Sequence, residues 1–356
     1  ALVVGAVGAS PGGAVAVEER SRLLEEGAAT YRTYCARCHG EDGADTTSYP
    51  NVKSLVDVTQ RFTPEQVIER SKGFVQVQLQ GKTALALFTF LDTLRSGGYA
   101  RPELLVETSW VALHAKDPKV RVVDLRAAAA YSAGHIPGAV RLEERPLRNP
   151  EDRLTYLPDP AAFAKMMSDA GIGNDTHVVI YDDQGTRMAS RLWYVLNAYG
   201  HERVSLVNGG WPKWVAEKRP VETAAPKVEA AQFTPKAIPA LGCAAPELLR
   251  RKGEVVVLDT RSPGEHRAGR VPGAVNVEWQ ENLAGNPPVF KPAAELKKLY
   301  ESKGITPDRE IVTYCASGGR ASVSLFALKL LGYPKVRVYY GSWTDYSSRP
   351  EAPVEK

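Results

Sequence analysis

Two rhythms of apolar and polar positions run along this chain. Short apolar runs rich in β-branched residues, such as Ile311–Tyr314, read as buried strands, while Ala321–Leu331 carries apolar residues at helical spacing. From about residue 105 to 350 the two rhythms alternate, which predicts parallel sheets covered by helices. The alternation is duplicated. Val122-Val-Asp124-Leu-Arg126 returns 135 positions later as Val257-Leu-Asp259-Thr-Arg261, and Gly134-His-Ile-Pro-Gly-Ala139 returns at the same offset as Gly269-Arg-Val-Pro-Gly-Ala274. Ile180–Arg187 aligns with Thr313–Arg320, and Gly209-Gly-Trp211 with Gly341-Ser-Trp343. Val221–Ala240, rich in Ala, Pro and Val and lacking either period, reads as the linker between the copies. Ahead of the repeat, Glu18–Tyr34 and Ala84–Leu94 read as helices, the second carrying Leu85, Phe88, Leu91 and Leu94.

Composition adds bounds. A length of 356 residues exceeds one ordinary core and predicts two or three domains. The balance of 45 basic and 41 acidic residues leaves a net charge of only +4, dispersed along the chain, which gives no case for nucleic acid and mildly favours anionic substrates. The chain opens on Ala rather than Met, and Ala1–Ala9 is small and apolar with Val7-Gly8-Ala9 like a signal-peptidase site. It reads as the remnant of an export signal, too short to span a membrane.

The four cysteines do not form a disulfide framework. Cys35-Ala-Arg-Cys38-His39 has the spacing that attaches haem through two thioethers, with His39 under the iron. Cys243 has no chemical neighbours in sequence and reads as packing or a partly exposed thiol. Cys315 opens the tight loop Cys315–Arg320 between a strand and a helix. Such a loop aims its backbone N–H groups and the positive end of the helix dipole at one place. A thiolate there, the nucleophilic form of cysteine, is stabilised by the N–H groups of residues 316 to 320 and by Arg320. Gly318 and Gly319 let the backbone curl. In the first copy Asp182 holds the slot of Cys315, and a carboxylate cannot serve as a thiolate nucleophile. Because it would repel anions, Asp182 is expected to lie away from substrate or to be paired by Arg187.

Cys315-Ala-Ser-Gly-Gly-Arg320, with the duplicated D-x-R and G-x-x-P-G-A signatures, resembles the tandem rhodanese (sulfurtransferase) family over residues 105 to 350. The resemblance implies two α/β domains, an inactive one at 105–220 and a catalytic one at 241–350, joined by 221–240. Cys315 would carry a sulfane sulfur as a persulfide, with Arg320 supplying charge and Ala316, Ser317, Gly318 and Gly319 binding substrate through the loop. Arg191 resembles the arginine that other tandem members aim at the substrate. The loop mixes features of thiosulfate and 3-mercaptopyruvate enzymes, so thiosulfate or a persulfide is the expected donor, 3-mercaptopyruvate the alternative, and a thiol the acceptor. A mercaptopyruvate-type relay would use Ser317 with Asp124 and His135, although the loop-forming role of those two residues is the favoured reading.

Residues 18–98 resemble an all-α class I cytochrome c domain, with 1–17 a flexible or signal-derived start. That resemblance implies covalent haem c on Cys35 and Cys38, iron ligation by His39, an extracytoplasmic or periplasmic location, and a redox partner protein. The usual distal methionine is missing, since the only methionines are Met166, Met167 and Met188. Lys72, Lys82 and His114 are the candidates to replace it, with His114 read preferentially as a helix-end residue. A rival reading makes the protein a haem-based sensor or electron carrier whose rhodanese pair is a docking module.

Overall fold

The computed structural model describes residues 98–356 apart from 252, together with positions 22, 25–36, 83, 86, 87, 90 and 91. Cys38, His39, Lys72 and Lys82, the segment 1–17 and most of 18–98 lie outside the described residues. Two compact units, Ala1–Gly98 and Tyr99–Lys356, divide the chain. In the first, residues 25–34 and the described positions of 83–91 are helical. A Cβ at Gly27 would collide with the Ala86 carbonyl, so the helical stretches cross at this glycine, and Tyr31 meets Phe90 at 5.2 Å between ring centroids.

The second unit holds two parallel sheets. In the first half, β1 (Leu105–Val106), β2 (Val120–Asp124), β3 (Val140–Arg141), β4 (His177–Tyr181) and β5 (Val204–Val207) line up in the order β1-β5-β4-β2-β3. The helices that cover them are α1 (Thr108–His114), α2 (Ala128–Ala133), α3 (Pro160–Asp169), α4 (Arg187–Ala198) and α5 (Gly210–Ala216). The second half repeats this with α6 (Ala245–Arg250), β6 (Val256–Asp259), α7 (Pro263–Ala268) and β7 (Val275–Asn276). A small hairpin of β8 (Leu283–Ala284) and β9 (Val289–Phe290) follows, then α8 (Ala293–Glu301), β10 (Ile311–Tyr314), α9 (Gly319–Leu330), β11 (Val336–Val338) and α10 (Ser342–Tyr346). Its sheet order is β11-β10-β6-β7, and the counterpart of β1 shrinks to a single bridge between Gly242 and Val338.

The strands are Val- and Ile-rich because helices cover both faces, leaving β4 and β10 almost wholly buried. Pairing is in register with the repeat: Val123 faces Ile180 and Asp124 faces Tyr181, while Leu258 faces Thr313 and Asp259 faces Tyr314. The helix expected over Ala321–Leu331 begins two residues earlier, because the glycines of the loop already form its first turn.

One hydrophobic core runs through both halves. Helices α4 and α9, which follow the two central strands, pack against each other and are buried over most of their length. Trp193 meets Phe326 edge to face at 5.1 Å, and Tyr194 meets Tyr340 at 4.9 Å. A polar tie on the buried Asp345 carboxylate also joins the halves. Arg153 of the first half donates to Asp345 of the second at 2.6 Å, and Asp345 also accepts from Arg349 and Tyr339. Burial pushes the Asp345 carboxyl up, but these hydrogen bonds outweigh it and hold the carboxyl below its ordinary range. The expected linker is fastened to the first half, through Phe233 on Phe163 and through backbone bonds from Lys236 to Tyr199 and from Ile238 to Ala198.

Phe326 is fully buried at the meeting of the two halves, so Phe326→Ala is expected to destabilise the unit by about 3–5 kcal/mol, read from urea unfolding. A loss below about 1 kcal/mol would mean that the halves do not depend on this shared core.

Candidate active site

Strand β10 ends at Tyr314 and hands the chain to Cys315, which is 1% exposed. The loop turns at Gly318, whose φ of 92° suits glycine and where a Cβ would strike the Tyr340 ring. This turn brings the Gly318 N–H to 3.1 Å from Cys315 Sγ, at the N-terminus of α9. The Cys315 backbone is fixed from the other side. Its N–H donates to Ser342 Oγ at 3.1 Å, its carbonyl accepts from Trp343 N–H at 2.9 Å, and the Ala316 carbonyl accepts from Thr344 N–H and Oγ1. Ser342 sits at φ 56°, a left-handed conformation, and its counterpart in the first half is Gly210 at φ 52°. A side chain in that conformation is worth its strain here because the hydroxyl bridges the Cys315 N–H to the Tyr339 carbonyl.

Charge arrives from three elements. Arg320 points to α7, where both Glu265 carboxylate oxygens accept from its guanidinium at 2.7 and 2.8 Å. The Arg320 pair, aided by Ser262 in a capping box, holds Glu265 down to about 2. Arg320 is raised in turn, first by Glu265 and also by the Cys315 thiol, so it braces the loop and acts on the sulfur together. The first half contributes Arg191 from α4. Its guanidinium donates to the Ser317 carbonyl at 3.1 Å and to Glu144 at 2.8 Å, and a Cβ at Gly319 would lie 2.9 Å from it. Tyr340 closes the group by donating to the Leu147 carbonyl. Burial pushes the Tyr340 phenol up to about 12; Arg191 and Arg148 act against this, and Cys315 and Glu144 with it.

The sister loop holds a carboxylate where this one holds the thiol. Asp182 is buried, and its carboxylate accepts from the N–H groups of Gln184, Thr186, Met188 and Ala189. Its partner is therefore the loop backbone and not Arg187, which donates to Gln184 instead. Backbone donors satisfy the carboxylate without a cation, which the repeat alignment alone does not reveal. Trp279 and Leu283 from the second half close over this loop, within 3.2–3.4 Å of a Cβ at Gly185.

Cys315, Ser317, Gly318, Gly319, Arg320 and Arg191 thus converge, with Ala316 held by Thr344. Asp124 and His135 do not join them as a relay. Asp124 binds Arg126 and Tyr181, and His135 stacks on Tyr131 and bonds its carbonyl, all within the first half. Their buried signatures build loops, as Asp259 and Arg261 do in the second copy. His114 ends α1, stacked on Trp110. Cys243 is packing: it is buried, and burial pushes its thiol up to about 12. Cys35 lies at the end of a helical stretch, with its N–H on the Tyr31 carbonyl. Sequence reading missed Glu265, although Ser262-Pro-Gly-Glu265 carries a capping-box signal. Glu144, Arg148, Tyr340 and Ser342 gave no local signal.

Because the folded Glu265 carboxyl is depressed, its contribution to stability is complete above its ordinary value of 4.5 and is lost as pH falls toward about 2. Glu265→Gln should therefore be less stable than the parent at pH 7, and the gap should close between pH 4.5 and 2 in thermal unfolding. A gap independent of pH would refute the ion pair as its source.

Comparison with known proteins agrees with this geometry. The rhodanese-like domain model matches residues 107–217 and 245–349. The chain is 39% identical to the sulfur carrier protein TtuD of Thermus thermophilus, across 73% of this chain and 99% of that one. It is 32% identical to the thiosulfate sulfurtransferase of Pseudomonas aeruginosa, across 71% and 97%. The crystal structure of the 3-mercaptopyruvate sulfurtransferase SseA from Escherichia coli superposes with a TM-score of 0.62 at 30% identity, covering 67% of this chain and 98% of that one. A duplicated parallel sheet, one cysteine loop and one carboxylate-filled loop, matched in both halves, make this chain a tandem member of the rhodanese-like family, in its thiosulfate and 3-mercaptopyruvate sulfurtransferase branch.

Proposed function

We propose that Cys315 carries sulfane sulfur between a small donor and a thiol acceptor. The observation that carries this reading is the Gly318 N–H held 3.1 Å from Cys315 Sγ at a helix N-terminus. Transfer is a double displacement. The Cys315 thiolate attacks the outer sulfur of thiosulfate, an S–S bond forms at Cys315, the S–S bond of the donor breaks, and sulfite leaves with the electron pair. An acceptor thiolate then attacks the outer sulfur of the persulfide, and Cys315 leaves as thiolate. Loop N–H groups stabilise the negative persulfide as an oxyanion hole would. Arg191 binds the anionic end of the donor, and Arg320, braced by Glu265, adds fixed positive charge. Thiosulfate or a persulfide is the donor this loop favours; 3-mercaptopyruvate is the alternative, and the role of Ser317 there reduces to its backbone and hydroxyl.

We also propose that residues 18–98 form a cytochrome c-like domain, with haem c joined to Cys35 and Cys38 and ligated by His39. The motif supports this, as does the crossing of two helical stretches at Gly27, the arrangement of first and last helices in such domains. When bound, the haem supplies one-electron chemistry, which would link the protein to a redox partner. Haem attachment takes place outside the cytoplasm, which favours an extracytoplasmic location.

Thiocyanate formation from thiosulfate and cyanide is expected to fall by about a thousandfold or more in Cys315→Ala, and intact-protein mass spectrometry should show the added sulfur only with Cys315 present. Activity retained in that variant would end the persulfide reading. Protein produced with haem-attachment machinery should keep its haem absorbance through denaturation and gel separation, and Cys35→Ala with Cys38→Ala should lose it. Absence of covalent haem in the parent would remove the cytochrome proposal and leave the first test untouched.

A further inference from the structure

The internal repeat shows which residues should cover the Cys315 loop. Over the silent loop, Trp279 and Leu283 press on Gly185 as an apolar seal. At the same 135-residue offset their counterparts are Glu144 and Arg148, so the live loop receives a carboxylate and a guanidinium in place of an indole and an isobutyl group. Glu144 and Arg148 bracket the 3₁₀ turn Arg145–Leu147, and Trp279 opens and Leu283 follows its equivalent, Trp279–Asn282. In place, Glu144 bonds Arg191 at 2.8 Å while its side chain stays 44% exposed, so it can turn to another partner. Arg148 adjoins Leu147, the acceptor of the Tyr340 hydroxyl, and lies 4.5 Å over the Tyr156 ring.

Two buried donors remain in this group. The Nε atoms of Arg148 and Arg191 have no hydrogen-bond partner among the described residues, and Arg191 is 7% exposed. Buried guanidinium N–H groups of this kind are normally satisfied by an acceptor. A dianion such as thiosulfate would use both arginines but would meet repulsion from Glu144. A ligand with a carboxylate and an ammonium would use all three groups.

We infer that the mouth formed by Glu144, Arg148 and Arg191 selects a zwitterionic amino-acid persulfide as sulfur donor. Arg148 and Arg191 take its carboxylate, Glu144 takes its ammonium, and its outer sulfur faces Cys315. The Cys315 thiolate attacks that protonated outer sulfur, the new S–S bond forms as the donor S–S bond breaks, and the amino-acid thiolate leaves with the electron pair. Cys315 keeps the outer sulfur and its proton. Glu144 and Arg148 act as specificity residues, and the inference rests on Cys315 as the sulfur-accepting residue.

Single-turnover loading of Cys315, followed by mass spectrometry, tests it with two donors of one skeleton: cysteine persulfide and 3-mercaptopropionic acid persulfide, which lacks the ammonium. The parent should load about tenfold faster from cysteine persulfide, the ratio expected for one charge-assisted hydrogen bond. Glu144→Gln should erase that preference and speed loading from thiosulfate, whereas Arg148→Gln should slow both persulfides. Equal rates in the parent, or a preference that survives Glu144→Gln, would overturn the inference while leaving Cys315 as the sulfur carrier. No loading from these donors or from thiosulfate would take both readings down.

Discussion

Everything at this site depends on two helices, Arg187–Ala198 and Gly319–Leu330, being buried against each other. Each follows the central strand of its half, so each starts at that half's loop. Burying both along their length leaves one arrangement in which the halves share a core, and it places each loop under residues of the other half. The strand and the glycine turn orient Cys315. The partner half then decides what a donor meets on the way in.

The two loops act as an internal comparison. Both accept a tryptophan N–H at the same carbonyl, from Trp211 to Asp182 and from Trp343 to Cys315, both at 2.9 Å. In one, a carboxylate fills the N–H cradle and an apolar lid closes it. In the other, a thiol takes the slot, and Arg191 of the first half, bonded to Glu144, donates to the Ser317 carbonyl of the loop. The two copies of one scaffold thus differ by a change at the strand end and two changes in the facing turn.

Charge near Cys315 is balanced in pairs, Arg320 with Glu265 and Arg191 with Glu144. The pairs differ in rigidity. Glu265 is fixed by a capping box and a bidentate contact, so Arg320 works as permanent positive charge. Glu144 is half-exposed and makes one contact, so Arg191 keeps a site that a ligand can claim.

The duplicated fold, the strand-loop-helix around Cys315 and the exchange of Cys315 for Asp182 in the first copy were legible in the sequence, because they rest on local periodicity and on spacing that repeats. Arg191 was legible only through resemblance. The residues that hold Cys315 in place, Ser342 and Trp343, stand 27 and 28 positions away in the chain. Glu144, which bonds Arg191, and Arg148 are more than 160 away. Their sequence neighbours gave no sign of a role, and the pairing expected between Asp182 and Arg187 was replaced by backbone donors that no side-chain pattern records. Sequence by itself determined which groups could do chemistry, since strand, turn and helix follow from near neighbours. Only the tertiary structure decided what surrounds them, because burial of two helices against each other brings together segments that the chain keeps far apart.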